Sequence, residues 1–267
     1  MKYAWITDPH LDHLDPSELK RFHDEVRAAT SMDTTLLVTG DITTARRLYE
    51  HIDGLGQACR GKMLYVLGNH DRWGSSLAQC ERDLRPHGVP QGHSVFMDLV
   101  ESIELEEGLH VVGDSGWYDG RNGLQGNPQM ILNDWFFIQD YKGKDERRCS
   151  AEIADGRAKV LEAKLRAVCA SDKTTRVVVL THVPPFPEAA LHMGRPGDDY
   201  AQPWFTSRVI GDVLDQVAKE FYWVKFEVLC GHTHSRAHYK RDDNLVVSTG
   251  QAQYGAPRVA VWAPTLW

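Results

Sequence analysis

The chain has 267 residues, a formal net charge of −7 at pH 7, 42% hydrophobic residues and 25% charged residues. These are ordinary values for a globular protein, and the length suffices for one large α/β domain or two small ones. The negative charge argues against a general nucleic-acid-binding surface, but it leaves phosphate substrates open because bound divalent cations can dominate a local field.

The cysteines and the apolar runs indicate the cellular setting. Five scattered cysteines without a C-x-x-C pair predict neither a disulfide framework nor a zinc ribbon. The N-terminus enters a strand almost directly, without the apolar region of a signal peptide. No apolar run approaches the roughly 20 residues of a transmembrane helix. We therefore expect a soluble, cytoplasmic protein with no membrane partner, and the oligomeric state is left open.

The first seventy residues alternate strands and helices. Apolar runs predict strands at 3–7, 34–38 and 63–67, with helices at about 16–30 and 43–55 between them. This repeat predicts a parallel sheet with right-handed crossovers.

The middle of the chain is less regular. A helical piece at 75–84 precedes a β-rich stretch at 95–112, which we predict to be a meander of three strands, mixed or antiparallel. Residues 113–150 are rich in aromatic residues and glycine, which is typical of either a functional lid or a packed loop. A helix is predicted at 151–170.

The last third of the chain predicts a second sheet. The expected elements are a strand at 176–180, a helix at 206–221, a strand at 225–230, and closing strands at 237–239, 245–248 and 258–262. No repeat, low-complexity tract or composition break divides the chain, so we expect a single domain over residues 1–267.

Polar motifs follow five of the predicted strands. They are Asp8-Pro9-His10, Gly40-Asp41, Gly68-Asn69-His70-Asp71, Thr181-His182 and Gly231-His232-Thr233-His234. Any one of them could be an ordinary polar turn, but ligands of open α/β sheets bind at these strand ends. Carboxylate, imidazole and amide oxygen suit manganese, iron, zinc and magnesium, and two such ions about 3.5–4 Å apart can clamp a phosphate. The sequence therefore predicts a metal site for phosphate-ester chemistry.

The five motifs, in this order, resemble those of the calcineurin-like metallophosphoesterase superfamily from residue 8 to residue 234. The resemblance implies an α/β fold, a four-layer α-β-β-α sandwich of two mixed sheets with the site at its edge. It implies two divalent metal ions, with manganese, iron or zinc favoured and magnesium an alternative. The implied ligands are Asp8, His10 and His234 for one metal, Asn69, His182 and His232 for the other, and Asp41 as the bridge.

The same resemblance implies the chemistry. A hydroxide held between the metals would attack phosphorus, and His70 would contact the phosphate and protonate the leaving oxygen, which suits an imidazole near neutral pH. Asp71 is the nearest candidate to orient His70. Phosphoprotein phosphatases of the superfamily carry a second Asp and an Arg where this chain has Thr44 and Ala45. A small phosphomonoester or phosphodiester, or a nucleotide, is therefore favoured, with a cyclic-nucleotide diester as the leading specific hypothesis.

Three alternatives stay open. A nuclease is disfavoured by the acidic charge, and a phosphoprotein phosphatase by the missing signature. A metal-bearing scaffold that only binds proteins would predict damage to the motifs, which are intact.

Candidate substrate-binding residues lie in the aromatic insert and near the C-terminus. Trp117, Tyr118, Arg121 and Asn122 combine stacking surface with phosphate-capable donors, and Tyr254 stands between two glycines at the expected rim.

Other cationic and imidazole side chains have less specific interpretations. Arg46, Arg72 and Arg121 are equal candidates for gripping phosphate. We expect His13 to lie near the ligands without binding metal, and His51 to be a solvated helix residue.

Overall fold

The computed structural model describes residues 2–86, 93–123 and 130–262, so residues 124–129 of the predicted insert lie outside the described residues. Its strands are β1 (Lys2–Ile6), β2 (Thr34–Thr39), β3 (Lys62–Val66), β4 (Ser94–Phe96), β5 (Ile103–Glu106), β6 (Leu109–Gly113), β7 (Arg176–Leu180), β8 (Leu191–His192), β9 (Arg195–Pro196), β10 (Lys225–Cys230), β11 (Ala237–Asp242), β12 (Leu245–Thr249) and β13 (Ala260–Trp262). Its helices are α1 (Pro16–Ala29), α2 (Leu48–Ala58), α3 (Leu77–Leu84), α4 (Asp134–Phe137), α5 (Glu146–Cys169), α6 (Gln202–Phe205) and α7 (Arg208–Glu220). Within these ranges, no helix has the length and apolar character needed to cross a lipid bilayer.

The strands form two mixed sheets. The first has the order β13-β1-β2-β3-β4, and all its pairs are parallel except β13 with β1. The second has the order β11-β12-β10-β7-β6-β5, with a parallel centre and an antiparallel strand at each edge. Among the strands of the described ranges, β8 and β9 pair only with each other.

Side chains of alternate residues in the central strands pack in two different hydrophobic cores. In β2, Leu36 and Val38 pack in the core that includes Phe22 and Val26 of α1. Leu37, between them, packs in a separate core that contains residues of both sheets. Because successive side chains point to opposite faces of a strand, the first sheet is covered by helices on one side and by the second sheet on the other.

The outer face of the second sheet is covered by helices α5 and α7. Leu161 and Leu165 of α5 and Leu214 of α7 share one core with Val177 and Val179 of β7. The layers are therefore helix, sheet, sheet and helix, which confirms the predicted α/β four-layer sandwich.

Two strand pairings differ from the sequence prediction. Strand β4 pairs in parallel with β3, so only β5 and β6 form the expected antiparallel pair. Strand β13 pairs with β1 in the first sheet rather than closing the second, and the ring of Trp262 lies 5.4 Å from that of Tyr3. Short apolar strands carry too little pattern to specify their partner.

The described part of the aromatic insert forms a core of its own. Trp117, Tyr118 and Tyr141 are buried there with residues of α5. The indole nitrogen of Trp117 donates to the hydroxyl oxygen of Tyr141 at 2.8 Å. For these residues the structure favours the packed-loop alternative.

Candidate active site

The residues predicted to bind metal come together where strands of both sheets end. Six non-glycine residues of the described chain have positive φ, and five of them are Asp8, His10, Asp41, His232 and His234. Side chains with a Cβ rarely adopt this conformation, and such strained positions cluster at functional sites. The loops after the strands are thus bent to aim these side chains at one place.

Glycines in the motifs allow the carboxylates to sit against the backbone. A Cβ added at Gly68 would lie 2.0 Å from Oδ1 of Asp41, and one at Gly231 would lie 2.1 Å from Oδ2 of Asp8. No side chain fits at either position without moving the neighbouring carboxylate.

One group of metal-ligand donors consists of Asp8, His10, Asp41 and His234. The Nε2 atoms of His10 and His234 lie 3.1 Å apart. Oδ1 of Asp8 is 3.5 Å from Nε2 of His234, and Oδ2 of Asp41 is 3.8 Å from Nε2 of His10.

A second group consists of Asp41, His182 and His232. Oδ2 of Asp41 lies 3.4 Å from Nε2 of His182. Oδ1 of Asn69 completes the group, at 3.1 Å from Nε2 of His182 and 3.0 Å from Nδ1 of His232. Asp41 belongs to both groups, so its carboxylate is placed to contact an ion in each.

The spacing and the ring orientations fit two divalent metal ions. Donors about 3–3.8 Å apart can surround an ion at the usual ligand distance of about 2.0–2.2 Å. Nδ1 of His182 faces the carbonyl oxygen of Thr39 at 2.8 Å, and Nε2 of His232 faces that of Trp204 at 3.0 Å. Each imidazole can donate to its carbonyl, which leaves the other nitrogen deprotonated for a metal.

Burial and neighbouring charges shift the pKa values of the donor side chains in different directions. Burial opposes ionisation of Asp41, but the neighbouring His182 and other histidines outweigh it and hold the pKa of Asp41 well below its usual range. Burial and the charge of His182 lower the pKa of His232 to about 4. Burial likewise lowers the pKa of His10 to about 4, although Asp41 and Asp8 oppose the shift. Burial opposes protonation of His182, but the carboxylate of Asp41 raises the pKa of His182 to about 10. A metal ion must therefore displace the proton of His182, because carboxylates and neutral imidazoles are the forms that bind metal.

Asp134, which we did not predict, supports the second donor group. Its two carboxylate oxygens accept hydrogen bonds from Nδ2 of Asn69 at 3.0 and 3.1 Å. Nε1 of Trp73 and the hydroxyl of Tyr118 also donate to it, at 2.6 and 2.8 Å. These bonds orient the Asn69 amide so that its oxygen faces the histidines. An acidic residue in an irregular aromatic segment gives no local signal of this role.

His70 lies beside the donors and lines the adjoining cavity. Its backbone nitrogen donates to Oδ1 of Asp41 at 2.9 Å. Its ring stacks on Trp73, with centroids 3.7 Å apart and an interplanar angle of 24°. The ring is thus held next to the donors and open to a bound molecule.

Asp71 does not orient His70 as predicted. Its oxygens accept from the backbone nitrogens of Thr43 at 2.9 Å and Gly68 at 2.7 Å, and it is fully buried. Burial, with the charge of Asp41, raises the pKa of Asp71 to about 7. Asp71 therefore joins the loops after β2 and β3, and the stacking of Trp73 positions the His70 ring instead.

The cavity over the donors has a volume of about 570 Å³. Of the predicted substrate-binding residues, Tyr118 and Tyr254 line it. The ring of Tyr254 lies 4.4 Å from that of His10. The lining also includes His13, Trp73, Ile131, His192, Trp204 and Phe205, which we had not assigned to substrate.

The other three predicted substrate residues lie elsewhere. Trp117 is buried in the core of the insert. The guanidinium of Arg121 binds both carboxylate oxygens of Asp155, at 2.7 and 2.9 Å, and the amide of Asn122 donates to Thr206. Pairing with partners across the insert, which the sequence does not reveal, turns these side chains away from the cavity.

The remaining arginine candidates are also outside the cavity. Arg72 is fully buried, donates to the carbonyl oxygen of Leu77 and lies 3.8 Å from Asp98. Arg46 lines a different depression beside α2.

His51 was predicted to be solvated, and this is wrong. It is 1% exposed and lies on the buried stripe of α2 with Leu48, Ile52 and Leu55. The spacing of these residues indicates that His51 is buried, because helix positions three and four residues apart lie on the same face.

Two solved structures and one family model are similar to this chain. The crystal structure of phosphopantetheinyl hydrolase from Mycobacterium tuberculosis is similar to this chain, with a TM-score of 0.69 and 16% identity over 99% of this chain and 98% of that one. A dimetal phosphatase from Danio rerio has a TM-score of 0.58 and 14% identity over 98% of this chain and 92% of that one. Because both sequence identities are low, these two similarities show a shared fold and nothing further. None of the curated proteins matches the sequence. Residues 1–236 match the sequence model of the calcineurin-like phosphoesterases, and the chain belongs to this family.

Proposed function

We propose that this protein hydrolyses a phosphomonoester or phosphodiester of a small phosphorylated molecule or nucleotide, using two divalent metal ions. The observation that carries the proposal is the pair of donor groups that share Asp41 and open into a cavity lined by His70. Family membership supports a phosphoesterase in general.

The metals would be held by the two donor groups described above. When bound, they supply an activated water near neutral pH and neutralise charge on the phosphate. Oxygen and imidazole donors suit manganese, iron or zinc, with magnesium as an alternative.

The side chains of this chain supply orientation and a proton. His70 is the general acid for the leaving oxygen, a role that requires a proton donor within hydrogen-bond reach of the substrate. Its backbone bond to Asp41 and its stacking on Trp73 fix its place relative to the donors. Asp134 keeps the Asn69 oxygen turned toward the histidines.

The proposal is tested with chelated protein reconstituted separately with manganese, zinc or magnesium. The first substrates are p-nitrophenyl phosphate and bis(p-nitrophenyl) phosphate, followed by nucleotides, cyclic nucleotides and nucleic acids. A phosphopantetheinyl ester joins the panel because of the similar Mycobacterium tuberculosis structure. We expect metal-dependent hydrolysis of at least one ester. Bound metal without hydrolysis of any ester would instead support the scaffold alternative.

A further inference from the structure

The charges around the cavity are unusual for a phosphate site. The described residues that line it include five histidines and two aspartates but neither lysine nor arginine. The stretches 87–92, 124–129 and 263–267, which lie outside the described ranges, contain neither residue type in the sequence. A doubly charged phosphomonoester is commonly gripped by an arginine fork or a lysine, and this chain places none at the cavity.

The carboxylates that line the cavity make it still less favourable for a doubly charged phosphate. Asp134 lines the cavity, and its carboxylate lies next to Asn69, whose amide nitrogen donates to it. Arg72 and Arg121 lie beside Asp98 and Asp155 instead. Arg147 lies over the ring of Trp204, 5.8 Å from its centroid, but does not line the cavity. Among the described residues that line the cavity, an additional negative charge on the substrate therefore meets no lysine or arginine, and histidine is the only side chain there that can become a cation.

Aromatic rings flank both donor groups. At the first group, the ring of Tyr254 lies 5.0 Å from that of His234 and 4.8 Å from that of His13, and Tyr254 is 47% exposed. At the second group, the half-buried ring of Phe205 lies 5.7 Å from that of His232 and stacks on His192 with centroids 6.0 Å apart. A phosphate placed between the groups has an aromatic surface on each side.

We infer that the site selects a singly charged phosphodiester with aromatic substituents over a doubly charged phosphomonoester. This inference rests on the proposed function and names its substrate class. One substituent packs on Tyr254 and the other on Phe205, since flat groups stack on exposed aromatic side chains.

The first experiment compares esters that share one leaving group. The metal-loaded protein is given p-nitrophenyl phosphate, methyl p-nitrophenyl phosphate and bis(p-nitrophenyl) phosphate. We expect the bis-aryl diester to have the lowest KM, and Phe205→Ala to raise that KM about fivefold or more while changing the KM of the methyl ester less than twofold.

A binding experiment provides a readout that does not depend on turnover. Diphenyl phosphate and phenyl phosphate are titrated calorimetrically into metal-loaded His70→Ala protein. We expect diphenyl phosphate to bind about tenfold more tightly, and Tyr254→Ala in the same background to weaken diphenyl phosphate more than phenyl phosphate.

A variant that adds a positive charge tests whether the lack of a cation at the cavity disfavours the doubly charged monoester. Ile131 lines the cavity and is 66% exposed, so Ile131→Arg places a cation at its mouth. Val160→Arg adds the same charge to α5 at a position that is 42% exposed and outside the cavity lining. We expect only Ile131→Arg to improve binding of phenyl phosphate relative to diphenyl phosphate, by about threefold or more.

The outcomes separate the inference from the proposed function. Hydrolysis of monoesters with equal or lower KM, or equal binding of the two phenyl esters, overturns the inference and leaves the phosphoesterase intact. Preferential binding of diphenyl phosphate without hydrolysis of any ester supports the inference about the cavity and overturns the proposed function.

Discussion

The side-chain nitrogen of Asn69 lies 3.0 and 3.1 Å from the two carboxylate oxygens of Asp134, which is 65 residues away in the chain. This pair links a predicted metal ligand to the aromatic insert. It also links the ligand to Trp73, whose indole donates to the same carboxylate and whose ring stacks on His70. One buried carboxylate thus holds both the Asn69 amide and the Trp73 ring that stacks on His70.

Replacing Asp134 with Ala should weaken metal binding at the second donor group. Without its acceptor, the Asn69 amide loses its fixed orientation, and changes in residues that orient a ligand typically cost about 10–100-fold in metal affinity. Competition with a chromogenic chelator measures this loss. Asp155→Ala, which removes the surface partner of Arg121, is the control and should bind both metals like wild type. Unchanged affinity in the Asp134 variant would show that Asn69 is held by other contacts.

Replacing His70 with Ala should leave both metals bound and reduce turnover. Loss of a general acid typically costs about 10²–10⁴-fold in rate, and the cost should grow with a poorer leaving group. Metal analysis and kcat on aryl and alkyl esters check the two parts. His238→Ala removes an exposed histidine outside this cavity and should be neutral. A His70 variant with wild-type kcat on an alkyl ester would disprove the acid assignment.

Replacing Asp41 with Asn should have a different signature from the His70 variant. Asp41 belongs to both donor groups, so removing its charge should lower occupancy of both metals. We expect metal analysis after dialysis to find fewer than two ions per chain. Retention of two tightly bound ions would argue against Asp41 as the shared ligand.

Replacing Gly68 with Ala should disturb the same carboxylate without changing a ligand. The added Cβ would lie 2.0 Å from Oδ1 of Asp41, so the carboxylate or the loop must move. We expect weaker metal binding and a lower melting temperature. Gly156→Ala, inside α5 with nothing within 4 Å of the added Cβ, should instead be neutral or stabilising by up to about 1 kcal/mol. Equal behaviour of the two variants would contradict the steric argument.

Asp114 should make stability depend on pH. Burial raises its pKa to about 6, against the partial compensation of Arg157, whose Nη1 lies 3.6 Å from Oδ2 of Asp114. Because the pKa in the folded state is above the unfolded value, the stabilising contribution is complete below about pH 4 and disappears as pH rises through 6.

Asp114→Asn removes this titration. Compared with wild type, the variant should gain about 1 kcal/mol in unfolding free energy between pH 5 and pH 7.5. Urea unfolding of both proteins at the two pH values measures the difference, and titrations common to both cancel. A change of opposite sign would mean that ionised Asp114 stabilises the fold through Arg157.

The sequence pattern by itself determined the parallel strand-helix repeat and the candidate ligands at the strand ends. The four-layer sandwich and the division of the ligands into two groups followed instead from the resemblance of the motifs to the calcineurin-like family. Each ligand follows an apolar strand within a few residues, and strand-helix-strand repeats bring parallel strand ends to one edge. Asp8, Asp41 and Asn69 could therefore be placed together without knowing any long-range contact. The order of the motifs identified the histidine ligands His10, His182, His232 and His234.

Only the tertiary structure decided which other side chains join the site. Asp134 reaches Asn69, and Arg121 turns to Asp155, through contacts between segments that no local periodicity relates. The positive φ of His232 and His234 and the pairing of β13 with β1 are likewise set by packing across the whole fold. Strand ends are positioned by local pattern and sheet topology, whereas the partners of loop side chains depend on how distant loops pack against one another.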